Sequence, residues 1–461
     1  MTSAGYSQTA EEYFNKGMVK YNLKDYIGAI ADYSKAIELE PNDVESYINR
    51  GLAKDDLQDY KGAIVDLTKA IDLNPNYVKA YYNRGVTKSD LQDYNGAIAD
   101  YNKAIDLDPK FVKAYFNRGV IKDDLQDYNG AIADYTKVIE LDPNNVEAYT
   151  NRGVVNYNLH DYKGAIDAYN KAIELDPKHA KAYFNRGVTK DDLQDFNEAI
   201  ADYTKAIQVD PKYVDAYFNR GRAKYSLQDY KGAIADYTKT IELDPNDIEA
   251  YDNRGVAKVG LQDYNGAIAD FTKAIEINPK FAEAYYNRGL TKDKLQDYNG
   301  AIVEYTNAIE SDPKYASAYI NRGVLKAGLQ DYNGAIADYN KAIGLDPKNA
   351  EVYYNRGNLK YNLQNYSGAI EDFNKAIELE PNDKAAYYDR GTTKVHLQDF
   401  KGAITDFTKT IELDPNYVDA YYNRGIAKIF LSQRDNGCLD LVKAKDLGDT
   451  QANDAINKYC R

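Results

Sequence analysis

Side-chain amides set at a fixed interval are the first chemistry legible in this chain. Asn49, Asn83, Asn117, Asn151, Asn185, Asn219, Asn253, Asn287, Asn321 and Asn355 stand 34 residues apart, Asn15 and Asn423 extend the column, and Asp389 breaks it. A carboxamide donates and accepts a hydrogen bond as a peptide group does, so such a column suits an extended backbone better than a reaction. Catalytic groupings do not form. The three histidines, His160, His179 and His396, fall at different places in the interval, so neither a Ser/His/Asp relay nor a zinc cluster is suggested. The recurring Asp-Tyr-Asn-Gly, as at Asp93 to Gly96, resembles part of a calcium loop, but Leu91 takes its first acidic position and Asn102 its terminal glutamate. No glycine-rich phosphate loop is present. The expectation is a non-enzymatic chain with neither metal nor cofactor.

The elements that position these amides follow from the same interval. All twelve prolines, from Pro41 to Pro415, recur every 34 residues without insertion or deletion. The unit 78–111 is representative. Its first half carries Tyr81, Gly85 and Leu91, and its second carries Tyr94, Ala97, Ile98, Tyr101, Ala104, Ile105 and Leu107, the apolar spacing of two amphipathic helices. Asp93 is placed to cap the second helix, and Asp108-Pro109 ends it, because proline disfavours helical geometry in the preceding residue. Gly85, a glycine in all thirteen units, and Ala97 leave room for the two helices to pack closely.

This pattern resembles the tetratricopeptide repeat family: a large aromatic, a glycine four later, Ala-aromatic-Ala in the second helix and a closing proline, here Tyr81, Gly85, Ala97, Tyr101, Ala104 and Pro109. Lys88 departs from it, standing where the family usually carries an aromatic. The resemblance implies an all-α, right-handed superhelical solenoid. Twelve repeats start at 10, 44, 78, 112, 146, 180, 214, 248, 282, 316, 350 and 384 and fill 10–417. A diverged thirteenth follows at 418–450, a capping helix at 451–461, and 1–9 form a short N-terminal extension.

In the family the first helices line a concave groove. By similarity the asparagines lie there, where related asparagine ladders grip a peptide backbone, beside Tyr82, Phe116, Phe184 and Phe218. Duplication alone keeps columns alike, so variation is the more informative signal, and it concentrates at the Ser89–Asp90 positions. Asp56, Asp90, Asp124 and Asp192, with Asp55, Asp123 and Asp191, make the N-terminal half acidic, while Gly260, Gly328, Val395 and Phe430 leave the other half neutral. A basic segment should prefer the first half. The carboxylate-clamp subfamily needs lysines where Tyr82, Phe116, Phe184 and Val86 stand, which argues against acidic chaperone tails.

Lys recurs at the Lys88 position and an acidic residue at the Asp100 position in twelve of thirteen repeats, and repeat five loses both, with Asn156 and Ala168. Joint loss predicts a Lys88–Asp100 ion pair between the helices. Reversing both charges should then be milder than reversing either. Cys438 and Cys460 lie at similar heights about the Gly448 turn, which permits a disulfide; two buried thiols packing as small hydrophobes is the alternative.

Lys+Arg 58 against Asp+Glu 72 gives a charge of −14, which opposes nucleic-acid binding. The first residues carry neither a basic nor an apolar signal region, and no apolar run is long enough to span a membrane, so a cytoplasmic chain with no membrane partner is expected. The function expected is a scaffold that binds a protein or extended peptide. The alternative is a structural protein assembling head to tail into oligomers or filaments.

Overall fold

In the computed structural model, residues 8–460 are described; residues 1–7 of the N-terminal extension and Arg461 of the closing segment lie outside the described residues. The chain divides after Asp229 into two compact units.

The first unit holds α1 (Ala10–Asn22), α2 (Tyr26–Leu39), α3 (Val44–Asp56), α4 (Tyr60–Leu73), α5 (Val78–Asp90), α6 (Tyr94–Leu107), α7 (Val112–Asp124), α8 (Tyr128–Leu141), α9 (Val146–Asn158), α10 (Tyr162–Leu175), α11 (Ala180–Asp192), α12 (Phe196–Val209) and α13 (Val214–Ser226). The second holds α14 (Tyr230–Leu243), α15 (Ile248–Gly260), α16 (Tyr264–Ile277), α17 (Ala282–Lys294), α18 (Tyr298–Ser311), α19 (Ala316–Gly328), α20 (Tyr332–Leu345), α21 (Ala350–Asn362), α22 (Tyr366–Leu379), α23 (Lys384–His396), α24 (Phe400–Leu413), α25 (Val418–Phe430), α26 (Arg434–Asp446) and α27 (Ala452–Tyr459). No strand occurs among the described residues. Within each unit, odd and even helices pair, each pair stacks on the next, and successive odd helices touch, as α3 touches α5 and α21 touches α23.

One repeat explains the rest. Asp93 accepts from the Gly96 amide at 3.0 Å and starts α6. Between α5 and α6 the chain turns through Gln92, whose φ of 64° is the left-handed conformation; Gln58, Gln126 and Gln296 do the same in their own turns. The paired helices close on Ala97, Tyr101 and Ala104, all buried. A methyl group on Gly85 would lie 2.6 Å from Tyr101 Cε1, so glycine here is a condition of close approach. Ala80 and Ala114 at the starts of α5 and α7 are also fully buried, where neighbouring pairs stack.

The charged pair expected between Lys88 and Asp100 is one edge of a larger cluster. Lys88 Nζ lies 2.7 Å from Asp100 Oδ2, but Arg84 also holds that carboxylate in a two-pronged grip, Nη2 to Oδ1 at 2.6 Å and Nε to Oδ2 at 2.9 Å. Its remaining Nη1 reaches Thr68 Oγ1 on α4 at 3.0 Å, and its guanidinium lies over the Tyr81 ring. One buried aspartate therefore ties α4, α5 and α6 together. The arrangement recurs at Arg50/Lys54/Asp66, Arg254/Lys258/Asp270 and Arg424/Lys428/Asp440. The two-residue reading is corrected accordingly: with Arg84 present, exchanging the charges of Lys88 and Asp100 would set two cations face to face.

At the C-terminus α27 packs on α26. Cys438 and Cys460 are joined by a disulfide, not left as two thiols, and Arg434 Nε donates to the Tyr459 carbonyl at 2.6 Å.

Candidate peptide-binding face

The asparagines lie on the odd helices, one turn after each helix starts, and most are partly buried between neighbouring odd helices. Their amides are not equivalent. The residue at the Tyr82 position of the preceding repeat bears on their state. Where that residue is tyrosine, the amide is engaged: Asn117 Nδ2 donates to the Tyr82 hydroxyl at 3.1 Å, Asn321 to Tyr286 at 3.0 Å and Asn423 to Tyr388 at 2.9 Å. Asn287 donates to both carboxylate oxygens of Asp252, at 3.1 and 3.0 Å. Asn49, Asn219 and Asn253 turn back onto the carbonyls of Glu45, Asp215 and Glu249. Asn151 stands against the Tyr135 hydroxyl. Asn83 and Asn355 make no side-chain hydrogen bond among the described residues. Asn185 Nδ2 is buried without a partner. At the break in the column, Asp389 accepts from the Tyr354 hydroxyl at 2.7 Å.

The aromatic neighbours are partly buried. Tyr82 meets Phe111 edge-on with ring centroids 5.2 Å apart, and Phe184 meets Tyr213 at 4.9 Å. Phe116 packs on Tyr135, and Phe218 is partly buried on α13. Tyr82, Phe116 and Asn117 line an open cleft of about 330 Å³ with Val112, Lys113, Asn145 and Glu147.

The acidic column divides the same way. Asp90 and Asp124 are exposed, whereas Asp56 accepts from the Tyr21 hydroxyl at 2.6 Å and Asp192 from the Tyr157 hydroxyl. Burial pushes the Asp55, Asp90, Asp123 and Asp191 carboxyls above the usual carboxylate range, and close acidic neighbours add to this at Asp55 and Asp123. Two residues stand out that the amide column did not point to. Arg222 occupies the Val86 column on α13, near enough to Asp191 to lower its pKa against the effect of burial. Asp252 occupies the Tyr82 column on α15; it is 5% exposed, and burial, with Glu283 and Glu249 nearby, lifts it to about 7 against the opposing Asn287 bond. Both were visible as lone departures in columns that are otherwise uncharged.

Among the described residues no grouping of His, Cys, Asp and Glu could hold a metal ion, and no helix is long and apolar enough to cross a membrane.

Profiles of the tetratricopeptide repeat match residues 10–43, 146–179, 168–201, 214–247 and 350–383, and those of the related TPR repeat match 56–91, 89–122, 124–160, 192–228, 257–296, 293–330, 328–364 and 393–428. The chain belongs to the tetratricopeptide repeat family. Members of the family are in general protein-interaction scaffolds, typically without catalysis. No curated protein sequence matches this tetratricopeptide repeat protein. Among solved structures, MamA is 32% identical over 37% of this chain and 94% of its own, with a TM-score of 0.35. YrrB, described as a TPR protein with an unusual peptide-binding site, is 26% identical over 40% of this chain and 95% of its own, with a TM-score of 0.37. A tetratricopeptide repeat protein from Parabacteroides merdae is 23% identical, covers 54% of this chain and 98% of its own, and has a TM-score of 0.42.

Proposed function

We propose that this protein is a non-enzymatic scaffold that receives an extended peptide along the face lined by its odd helices, with asparagine amides bonding the peptide backbone. The observation that carries this reading is the set of amides left available in the column: Asn83 and Asn355 without a side-chain partner and Asn185 Nδ2 buried without one. A buried amide donor without a partner costs about 1–3 kcal/mol, and a peptide carbonyl placed there would relieve that cost. Amides bonded to tyrosine are positions where the neighbouring hydroxyl already takes the donor. The exposed Asp90 and Asp124 favour lysine or arginine in a segment bound to the first unit, and Arg222 favours one acidic residue near α13.

Peptides selected from a random extended library against the full chain provide the test. Bound peptide should slow hydrogen exchange in the odd helices and leave the even helices unchanged. Protection confined to the even helices would sink the proposal.

A second reading, self-association, draws on α1 and the start of α2, where Val19, Leu23 and Ile27 are 59%, 74% and 73% exposed. Light scattering across protein concentration decides it. A mass that grows with concentration, and stays at one chain when Leu23 and Ile27 are replaced by Lys, would place assembly first.

A further inference from the structure

Repeat five, residues 146–179, departs from its neighbours inside the charged cluster. Arginine recurs at the Arg84 position in twelve repeats, and eleven of these face an acidic residue at the Asp100 position; the exception is Arg152, which faces Ala168. Asn156 stands where the cluster's lysine would be. Losing one lysine and one aspartate balances those two charges but leaves the guanidinium without its counter-ion.

Arg152 nevertheless keeps its seat. Its guanidinium carbon lies 5.5 Å from the Tyr149 ring centroid, against 5.4 Å for Arg118 over Tyr115 and 5.7 Å for Arg84 over Tyr81. Among the described residues no carboxylate pairs with it and no side chain hydrogen-bonds to it. Thr136 on α8 is unused, although its counterparts Thr68 and Thr306 accept from Arg84 and Arg322 at 3.0 Å. The Asn156 amide leans toward Gly164 and does not fill the gap. Asp167, one residue before Ala168, is exposed and does not pair with Arg152.

A methyl group thus stands where the other twelve repeats carry a carboxylate, in front of a held, partly buried guanidinium. The planar fork matches two carboxylate oxygens, and an unpaired charge at such a place is strongly unfavourable. We propose that Arg152 is the centre of a carboxylate-binding site between α8, α9 and α10, with Thr136 and Asn156 as flanking polar groups and Ala168 leaving the space. The ligand is either a small free carboxylic acid or the acidic side chain of a partner protein. The site uses none of the asparagines of the column.

Carbon-13 formate titrated into the full chain and followed by its NMR line width tests this, with N-acetylglutamic acid α-amide, whose single carboxylate is that of a glutamate side chain, as the second probe. Ala168→Asp supplies the missing carboxylate within the chain, and Arg152→Gln removes the fork. The wild-type protein should broaden the formate line saturably, and both variants should reduce that broadening at least tenfold. Binding of both probes supports a partner's acidic side chain as the source, and binding of formate alone supports a small free acid. No broadening with the wild-type chain, or equal broadening with Ala168→Asp, would overturn the site. Ala168→Asp restores the arrangement of the other repeats, so the test stands even where Arg152→Gln unfolds.

Discussion

The buried aspartate of each repeat shows how far a single residue's role depends on counting every charge around it. Asp100 is shared by Arg84 and Lys88, and the Arg84 bonds are the two-pronged ones. Asp100→Asn, which leaves two cations facing a neutral amide, should destabilise its repeat by about 3–5 kcal/mol. Lys88→Met, which leaves the arginine grip intact, should cost about 1–2 kcal/mol. Adding Lys88→Asp to Asp100→Lys should restore nothing, because Arg84 then faces a lysine. Urea unfolding followed by helical circular dichroism measures all three. The Lys88–Asp100 relation was readable from joint loss in repeat five. Arg84 was not, because arginine persists there as Arg152 and so shows no covariation.

Asp252 gives a pH dependence at the same scale. Its carboxyl titrates near 7 in the folded chain and near 3.8 when unfolded. Between those values the folded state binds the extra proton, so this residue's contribution is fully present below about pH 4 and is lost as pH rises through 7. The span corresponds to roughly 4 kcal/mol at most. Asp252→Asn should therefore raise stability at pH 8 and leave it nearly unchanged at pH 4. Equal effects at both pH values would contradict the assignment.

Among elements, the helices are legible because each start and stop has a local cause. Pro109 follows the end of α6, Asp93 caps its start, and Gly85 admits Tyr101. The turn between helices was less legible. Leu91-Gln92-Asp93 contains no glycine, yet Gln92 adopts a positive φ, a conformation that costs a side-chain-bearing residue about 1–2 kcal/mol. The cap at Asp93 and the burial of the helices on either side hold it there. Gln92→Gly should stabilise its repeat by about 0.5–1 kcal/mol, part of the relief being offset by the freer unfolded chain, and a raised urea midpoint would show it.

At the scale of the whole molecule, the period made the tandem helix pairs readable at once, since each Pro, Gly and Asn recurs at one phase. The candidate face was readable only in part. Phase places an asparagine on every odd helix, but whether its amide is free depends on a side chain 35 residues earlier in the neighbouring repeat, as Tyr82 is for Asn117. That contact follows from stacking, not from the repeat itself. The central claim is that these amides hold a peptide backbone. Its most direct measurement is the affinity of one library-selected, fluorescein-labelled peptide bound to the first unit, by anisotropy, for the wild-type chain and for the Asn83/Asn185→Ala variant. Two lost hydrogen bonds at about 0.5–1.5 kcal/mol each predict a loss of about fivefold or more. Unchanged affinity in a variant that keeps its helical circular dichroism would contradict the account.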